Sequence, residues 1–165
     1  MYTINGACMT ISDVVRIARG RERVCLSNES VKKIQDSWKI VEKIILSDKP
    51  VYGINTGFGE LSKVFISRDE REKLQRNLIL SHCTGVGAYL PEDTVRAAIV
   101  LRVNSLSKGY SGIRVSTVEK LIEMLNKDIC PAVPCKGSVG ASGDLAPLSH
   151  LVAPMLGEGL VIVDG

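Results

Sequence analysis

Between Asn28 and Leu46 the apolar residues Val31, Ile34, Trp38, Val41, Ile44 and Ile45 return at every third or fourth position, with lysines and acids filling the gaps. A run of this length and period buries one face only as an α-helix, because a strand would send alternate residues to opposite sides. A long amphipathic helix also needs apolar neighbours to cover its stripe. The chain therefore has to supply further helices.

It does so repeatedly. Thr10 with Asp13 three residues on forms a capping pair for a short helix that runs to Ala18 and stops at Gly20. Ser67 with Glu70 reads as a capping box for a helix from about Arg68 to His82, with Gly85 and Gly87 as its stop. Pro91, placed in a first turn where its missing donor costs nothing, precedes the acids Glu92 and Asp93 and predicts a helix to about Ser107, closed by Lys108-Gly109. Ser116 with Glu119 reads as another capping box, for a helix through Leu121, Ile122 and Leu125 that Pro131 and Pro134 break. Asp144 starts an apolar helix to about Leu156, and Leu160 to Val163 reads as a short strand. Val51 to Gly59 holds too many glycines for a regular element and is a loop carrying aromatic side chains. The expected fold class is mainly α, with short strands and glycine-rich loops. At 165 residues the chain suits one domain.

A balance of 21 basic against 18 acidic side chains, spread along the sequence, gives no electrostatic case for binding nucleic acid or an anionic membrane. Small-molecule or protein partners are expected instead. The start Met1 to Gly6 lacks the basic and apolar runs of a secretory leader, and no stretch is long and apolar enough to span a bilayer, so a cytoplasmic location is expected. Five cysteines at irregular spacing argue for reduced thiols. Cys130 and Cys135 are separated by Pro-Ala-Val-Pro, and the histidines are His82 and His150 alone, so no metal site is expected.

The stretch Gly137-Ser138-Val139-Gly140-Ala141-Ser142-Gly143 leads into the helix expected from Asp144. It fits no phosphate loop, which needs Gly-Lys-Ser/Thr at its end. Nor does it fit the dinucleotide fingerprint, which needs a preceding strand where Cys130 to Lys136 carries two prolines. The hydrolase elbow fails because Asp144 stands where glycine is required. A triad of Ser142, Asp144 and His150 is disfavoured because positions 144 and 150 point to different helix faces. A flexible connector remains open. A different chemistry suits the residues better. If the backbone bends so that the Gly143 nitrogen attacks the Ala141 carbonyl carbon, a five-membered ring closes, and the absence of a Cβ at Gly143 removes the obstacle. Loss of water from the ring and of the Ser142 hydroxyl leaves a methylidene conjugated to a carbonyl. That is an electrophile no unmodified side chain offers, and the positive start of the following helix would favour electron density moving into it.

The segment Gly137 to Leu148 resembles the signature of the ammonia-lyase and aminomutase family that carries the methylidene-imidazolone cofactor, MIO. Val51-Tyr52-Gly53-Ile54-Asn55-Thr56-Gly57-Phe58-Gly59 resembles the tyrosine loop of the same family, and Leu74 to His82 followed by Gly85-Val86-Gly87 resembles a third block. The resemblance implies the helical N-terminal part of the aspartase/ammonia-lyase-like fold over 1–165, with later helical-bundle regions absent. It also implies that Ala141, Ser142 and Gly143 form MIO with no external cofactor, that Tyr52 is the base removing the β-proton, and that His82 contacts the substrate ring. Free tyrosine titrates at about 10, so such a base needs a positive potential nearby. Asp144 would cap its helix and support the cyclising bend. Ser81-His82 points to an imidazole or phenol substrate, and the flanking blocks are closer to the histidine branch than to the tyrosine lyases or aromatic aminomutases. The family's longer chains and shared active sites imply a homotetramer, with this piece inert alone. Apart from the resemblance, a pyridoxal-phosphate enzyme and a non-catalytic helical module remain open, as does a reading of Tyr52 as a loop side chain packed beside Phe58.

Overall fold

The structure is a computed structural model that describes residues 1–47, 49–139 and 145–163. Six α-helices dominate the described residues: α1 (Ile11–Ala18), α2 (Asn28–Ile45), α3 (Arg68–His82), α4 (Glu92–Leu106), α5 (Val115–Asn126) and α6 (Leu145–Val152). Short strands join them as β1 (Tyr2–Ile4), β2 (Val24–Leu26), β3 (Val86–Tyr89), β4 (Cys130–Pro131), β5 (Pro134–Lys136) and β6 (Val161–Ile162). The mainly α expectation holds. No described helix is long and apolar enough to cross a membrane, and all five cysteines are free. Burial pushes the Cys83 and Cys130 thiols up, which keeps them protonated.

The core gathers around α4. Val95, Ile99 and Val103 are fully buried along one i, i+4 stripe, and Val100 is buried beside them. Each such side chain contributes roughly 1.5–3 kcal/mol relative to exposure. α1 and α5 pack on α4, while β1 and β2 pair in parallel across the α1 crossover, with Tyr2 opposite Val24 and Ile4 opposite Leu26. Asn126, the last residue of α5, clasps β2. Its Oδ1 accepts from the Val24 N–H and its Nδ2 donates to the Val24 carbonyl, both at 2.9 Å.

One charged side chain lies inside this core. Arg96 is 3% exposed and spends its donors on helix ends. Nε donates to the Ala18 carbonyl at 3.0 Å and Nη2 to that of Ile17 at 3.2 Å. Nη1 reaches the Leu125 carbonyl at 3.1 Å and Asp128 Oδ1 at 2.8 Å. Those carbonyls belong to the last turns of α1 and α5, where helices leave acceptors without internal partners and carry partial negative charge. One guanidinium thus fastens two helices to a third. At the start of α4, Arg19 and Arg21 pair with the acids Asp93 and Glu92.

α2 is set by the turn after α4. Gly109 takes φ +76°, and a Cβ there would stand 2.7 Å from the Lys33 Cβ and 2.8 Å from its backbone, so only glycine lets the turn lie against the helix. Arg114 stacks over Trp38 at 4.5 Å.

Local expectations hold unevenly. Thr10 and Asp13 make the full reciprocal box. Ser67 stands at the N-cap of α3 but makes no cap bond to the backbone; its hydroxyl donates to the Glu70 carboxylate at 3.0 Å. Ser116 is no cap either, since α5 begins two residues earlier than that box implies, with Arg114 at the N-cap. Pro91 is the N-cap of α4, one position before the first turn proper. The apolar helix expected to reach Leu156 is α-helical only to Val152. It tightens into a 3-10 turn over Ala153–Leu156 because Pro154 has no N–H to continue the α ladder. The prolines of 130–136 do not exclude strands. Pro131 pairs with Val161 and Pro134 with Tyr89, at ladder positions that need no donor from proline. Gly85 and Gly87 lead into β3 as well as ending α3.

Arg96→Leu is expected to destabilise the fold by roughly 3–5 kcal/mol, because three helix-end carbonyls lose their donor together. The urea midpoint should fall accordingly. Arg96→Lys should lie between, since an ammonium cannot span both helix ends.

Candidate functional site

The tyrosine loop is built around a buried amide. Asn55 is fully buried, and both ends of its side chain are used. Oδ1 accepts from the Val51 N–H at 2.6 Å, and Nδ2 donates to the Lys49 carbonyl at 2.8 Å. Its own carbonyl accepts from Ile66 N–H at 2.9 Å, the Gly57 N–H donates to the Val64 carbonyl at 3.1 Å, and Thr56 pairs with Phe65. Gly53, at φ +76°, makes the reversal that turns Tyr52 outward. Tyr52 is 62% exposed and meets Phe58 edge-to-face, with ring centres 6.0 Å apart. The packing beside Phe58 is therefore present, and it leaves the phenol directed to the surface. Among the described residues no cationic side chain stacks on or hydrogen-bonds to Tyr52.

His82 is the last residue of α3 and half-buried. Its Nδ1 lies 2.7 Å from the Leu78 carbonyl, which can only accept, so Nδ1 carries the proton and donates. Ser81 Oγ stands 3.2 Å from the same nitrogen. Among the described residues no hydrogen bond engages Nε2, which leaves that nitrogen available to a ligand.

α3 buries none of its described side chains. It rests on α6, and Arg76 pairs with Glu158 in the turn beyond. The approach to α6 is close. The His150 ring, on α6, accepts the Gly85 N–H through Nε2 at 3.0 Å. A Cβ on Gly85 would meet Pro134 at 3.0 Å and His150 Nε2 at 3.1 Å. One on Gly137, which sits at φ +148°, would meet the Gly85 Cα at 2.9 Å and the Ala146 Cβ at 3.3 Å. Three segments come together here, with glycine on two of them allowing the close approach.

Ala141, Ser142, Gly143 and Asp144 lie outside the described residues. The residues on either side are described: Val139 is 90% exposed, Leu145 opens α6 half-exposed, and Gly137 lies against Ala146. The two ends of the stretch bearing the tripeptide therefore meet. Tyr52 and His82 share no hydrogen bond or ring contact, and neither lines the surface clefts of about 380 Å³ around Lys33 and Tyr110 or about 290 Å³ around Leu90 and Leu148. No group of acids, cysteines and histidines fit for a metal occurs among the described residues. Sequence reasoning missed Asn55 and His150. An asparagine two residues before glycine in a loop hints at a backbone-bonding amide, and a histidine on an apolar helix hints at a hidden acceptor.

The family model of the aromatic amino acid lyases matches residues 9–165. The histidine ammonia-lyase of Treponema denticola is 53% identical over 163 residues, 99% of this chain and 32% of that protein. Among solved structures, tyrosine aminomutase from Streptomyces globisporus superposes with a TM-score of 0.92 at 40% identity, covering 99% of this chain and 31% of the other. Histidine ammonia-lyase from Trypanosoma cruzi gives 0.89 at 38% identity, covering 97% and 31%. The chain spans about a third of the length of these relatives. With a family match along nearly the whole sequence and the same helical arrangement in its solved relatives, the chain belongs to the aromatic amino acid lyase family.

Proposed function

We propose that the chain is the N-terminal third of a cytoplasmic, homotetrameric histidine ammonia-lyase that converts L-histidine to urocanate and ammonia. What carries the reading is the Ala141-Ser142-Gly143 tripeptide in a chain similar along nearly its whole length to histidine ammonia-lyases. Ring closure needs a bend imposed from outside, and the contact of Gly137 with Ala146 supports that requirement by drawing together the ends of the stretch. The MIO group formed there supplies an electrophile for the amino acid substrate.

The chain's own residues have defined tasks in this reading. Elimination needs the β-proton removed while the amine departs, and Tyr52 Oη receives that proton. It does so as the phenolate, which the Asn55-pinned loop leaves exposed to a ligand. As a base it needs a positive potential beside it. His82 orients the substrate ring, its free Nε2 accepting the imidazole N–H. Asp144 caps α6 and supports the bend. The likeness to tyrosine aminomutase favours a second reading, a phenol substrate, since the same Nε2 can accept a phenolic O–H. Family membership favours both over a pyridoxal-phosphate enzyme or a non-catalytic module.

Full-length enzyme given histidine, tyrosine and phenylalanine should produce the ultraviolet absorbance of a conjugated acid with histidine, and Ser142→Ala should abolish it. Histidine yielding no product would overturn the reading. The 165-residue chain alone should be inactive, and intact mass should show at most partial loss of two waters. Full loss would show that the bend needs no further structure. Asn55→Ala should lower kcat by about tenfold or more by releasing the loop, a cost of roughly 1–3 kcal/mol for the orphaned Val51 N–H and Lys49 carbonyl. Asn55→Asp should lose less in steady-state assays, because an acceptor for Val51 survives.

A further inference from the structure

The hydrogen bond from Gly85 to His150 joins the two parts of the chain that carry the proposed chemistry. Gly85 follows His82 by three residues, and the intervening turn is tight, with the Cys83 N–H on the Leu80 carbonyl at 3.1 Å and the Thr84 N–H on the His82 carbonyl at 2.8 Å. A shift at Gly85 is therefore passed back to His82. On the other side, α6 leads directly out of the stretch holding Ala141-Ser142-Gly143, and Gly137 at its near end lies against both Gly85 and Ala146. Since the Gly85 N–H donates, His150 Nε2 accepts and the ring is neutral with its proton on Nδ1. A histidine serving only to fill space between α3 and α6 would not need this acceptor.

We infer that His150 is a positioning residue: by accepting the Gly85 N–H it sets where His82 stands at the end of α3, and so governs capture of the substrate ring. This rests on the proposed role of His82. Removing the acceptor leaves a half-buried N–H unsatisfied and frees the turn, so the loss should fall on substrate binding more than on the chemical step.

The test uses full-length enzyme carrying His150→Leu, His150→Gln, His82→Ala and the double variant His82→Ala with His150→Leu. His150→Leu should raise KM for L-histidine about tenfold while kcat falls less than about threefold. Hydrogen exchange followed by mass spectrometry should show faster exchange in the peptide containing Gly85. His150→Gln, whose amide oxygen reaches a similar place, should restore both. The double variant should bind no worse than His82→Ala alone, because His150 acts through His82. If His150→Leu does not fold, His150→Asn takes its place, its amide being too short to reach Gly85. An unchanged KM, losses that add in the double variant, or slow exchange at Gly85 in His150→Leu would each overturn the inference. Wild-type enzyme inactive towards histidine would instead count against the proposed function, while the exchange measurement would still decide whether His150 holds Gly85.

Discussion

The core of this chain depends on a buried cation placed where helices run out of internal partners. Arg96 would be costly in an apolar interior by itself, yet each of its donors meets a carbonyl that a helix end leaves open, and Asp128 balances its charge near the surface. The arrangement fixes α1 and α5 against α4 in position as well as in contact. Aliphatic packing alone would let two short helices slide along the Val95, Ile99 and Val103 stripe. Because β1 and β2 flank α1, and Asn126 at the end of α5 holds β2, the same guanidinium indirectly places the small parallel sheet.

The candidate site is held by another kind of restraint. None of the described side chains of α3 lies in the core and the Tyr52 loop has few there, so each is placed by local polar pins and by glycine contacts. Asn55 does for the loop what His150 does for the turn after α3: each satisfies backbone groups that would otherwise be free to move. Function-bearing side chains thus stand on lightly packed elements tied to a well-packed frame.

Sequence reasoning was strongest where the information is local. The period of Val31 to Ile45, the box at Thr10 and Asp13, and the span from Arg68 to His82 all depend on residues within a turn or two, and they fold as read. It failed where the deciding partner lies far along the chain. β3 exists because Pro134–Lys136 pairs with it from nearly fifty residues away, and β2 because α5 delivers Asn126 a hundred residues on. Ser67 and Ser116 carry the capping pattern but form no backbone caps; at Ser116 the helix start lies two residues ahead of the box. Tyr52 and His82 were recognisable through family motifs, whereas Asn55 and His150 act on backbone groups whose position only the fold reveals.

The Asn126 clasp has a consequence for assembly. A two-stranded sheet normally offers its outer strand to any extended chain that arrives, and such pairing leads to aggregation. At Val24, the first residue of β2, the N–H and the carbonyl are both already occupied by a side-chain amide that imitates a neighbouring strand. One residue thus closes the border of the sheet at this point, and a second copy of the chain finds no free peptide group at Val24 on which to start a backbone ladder.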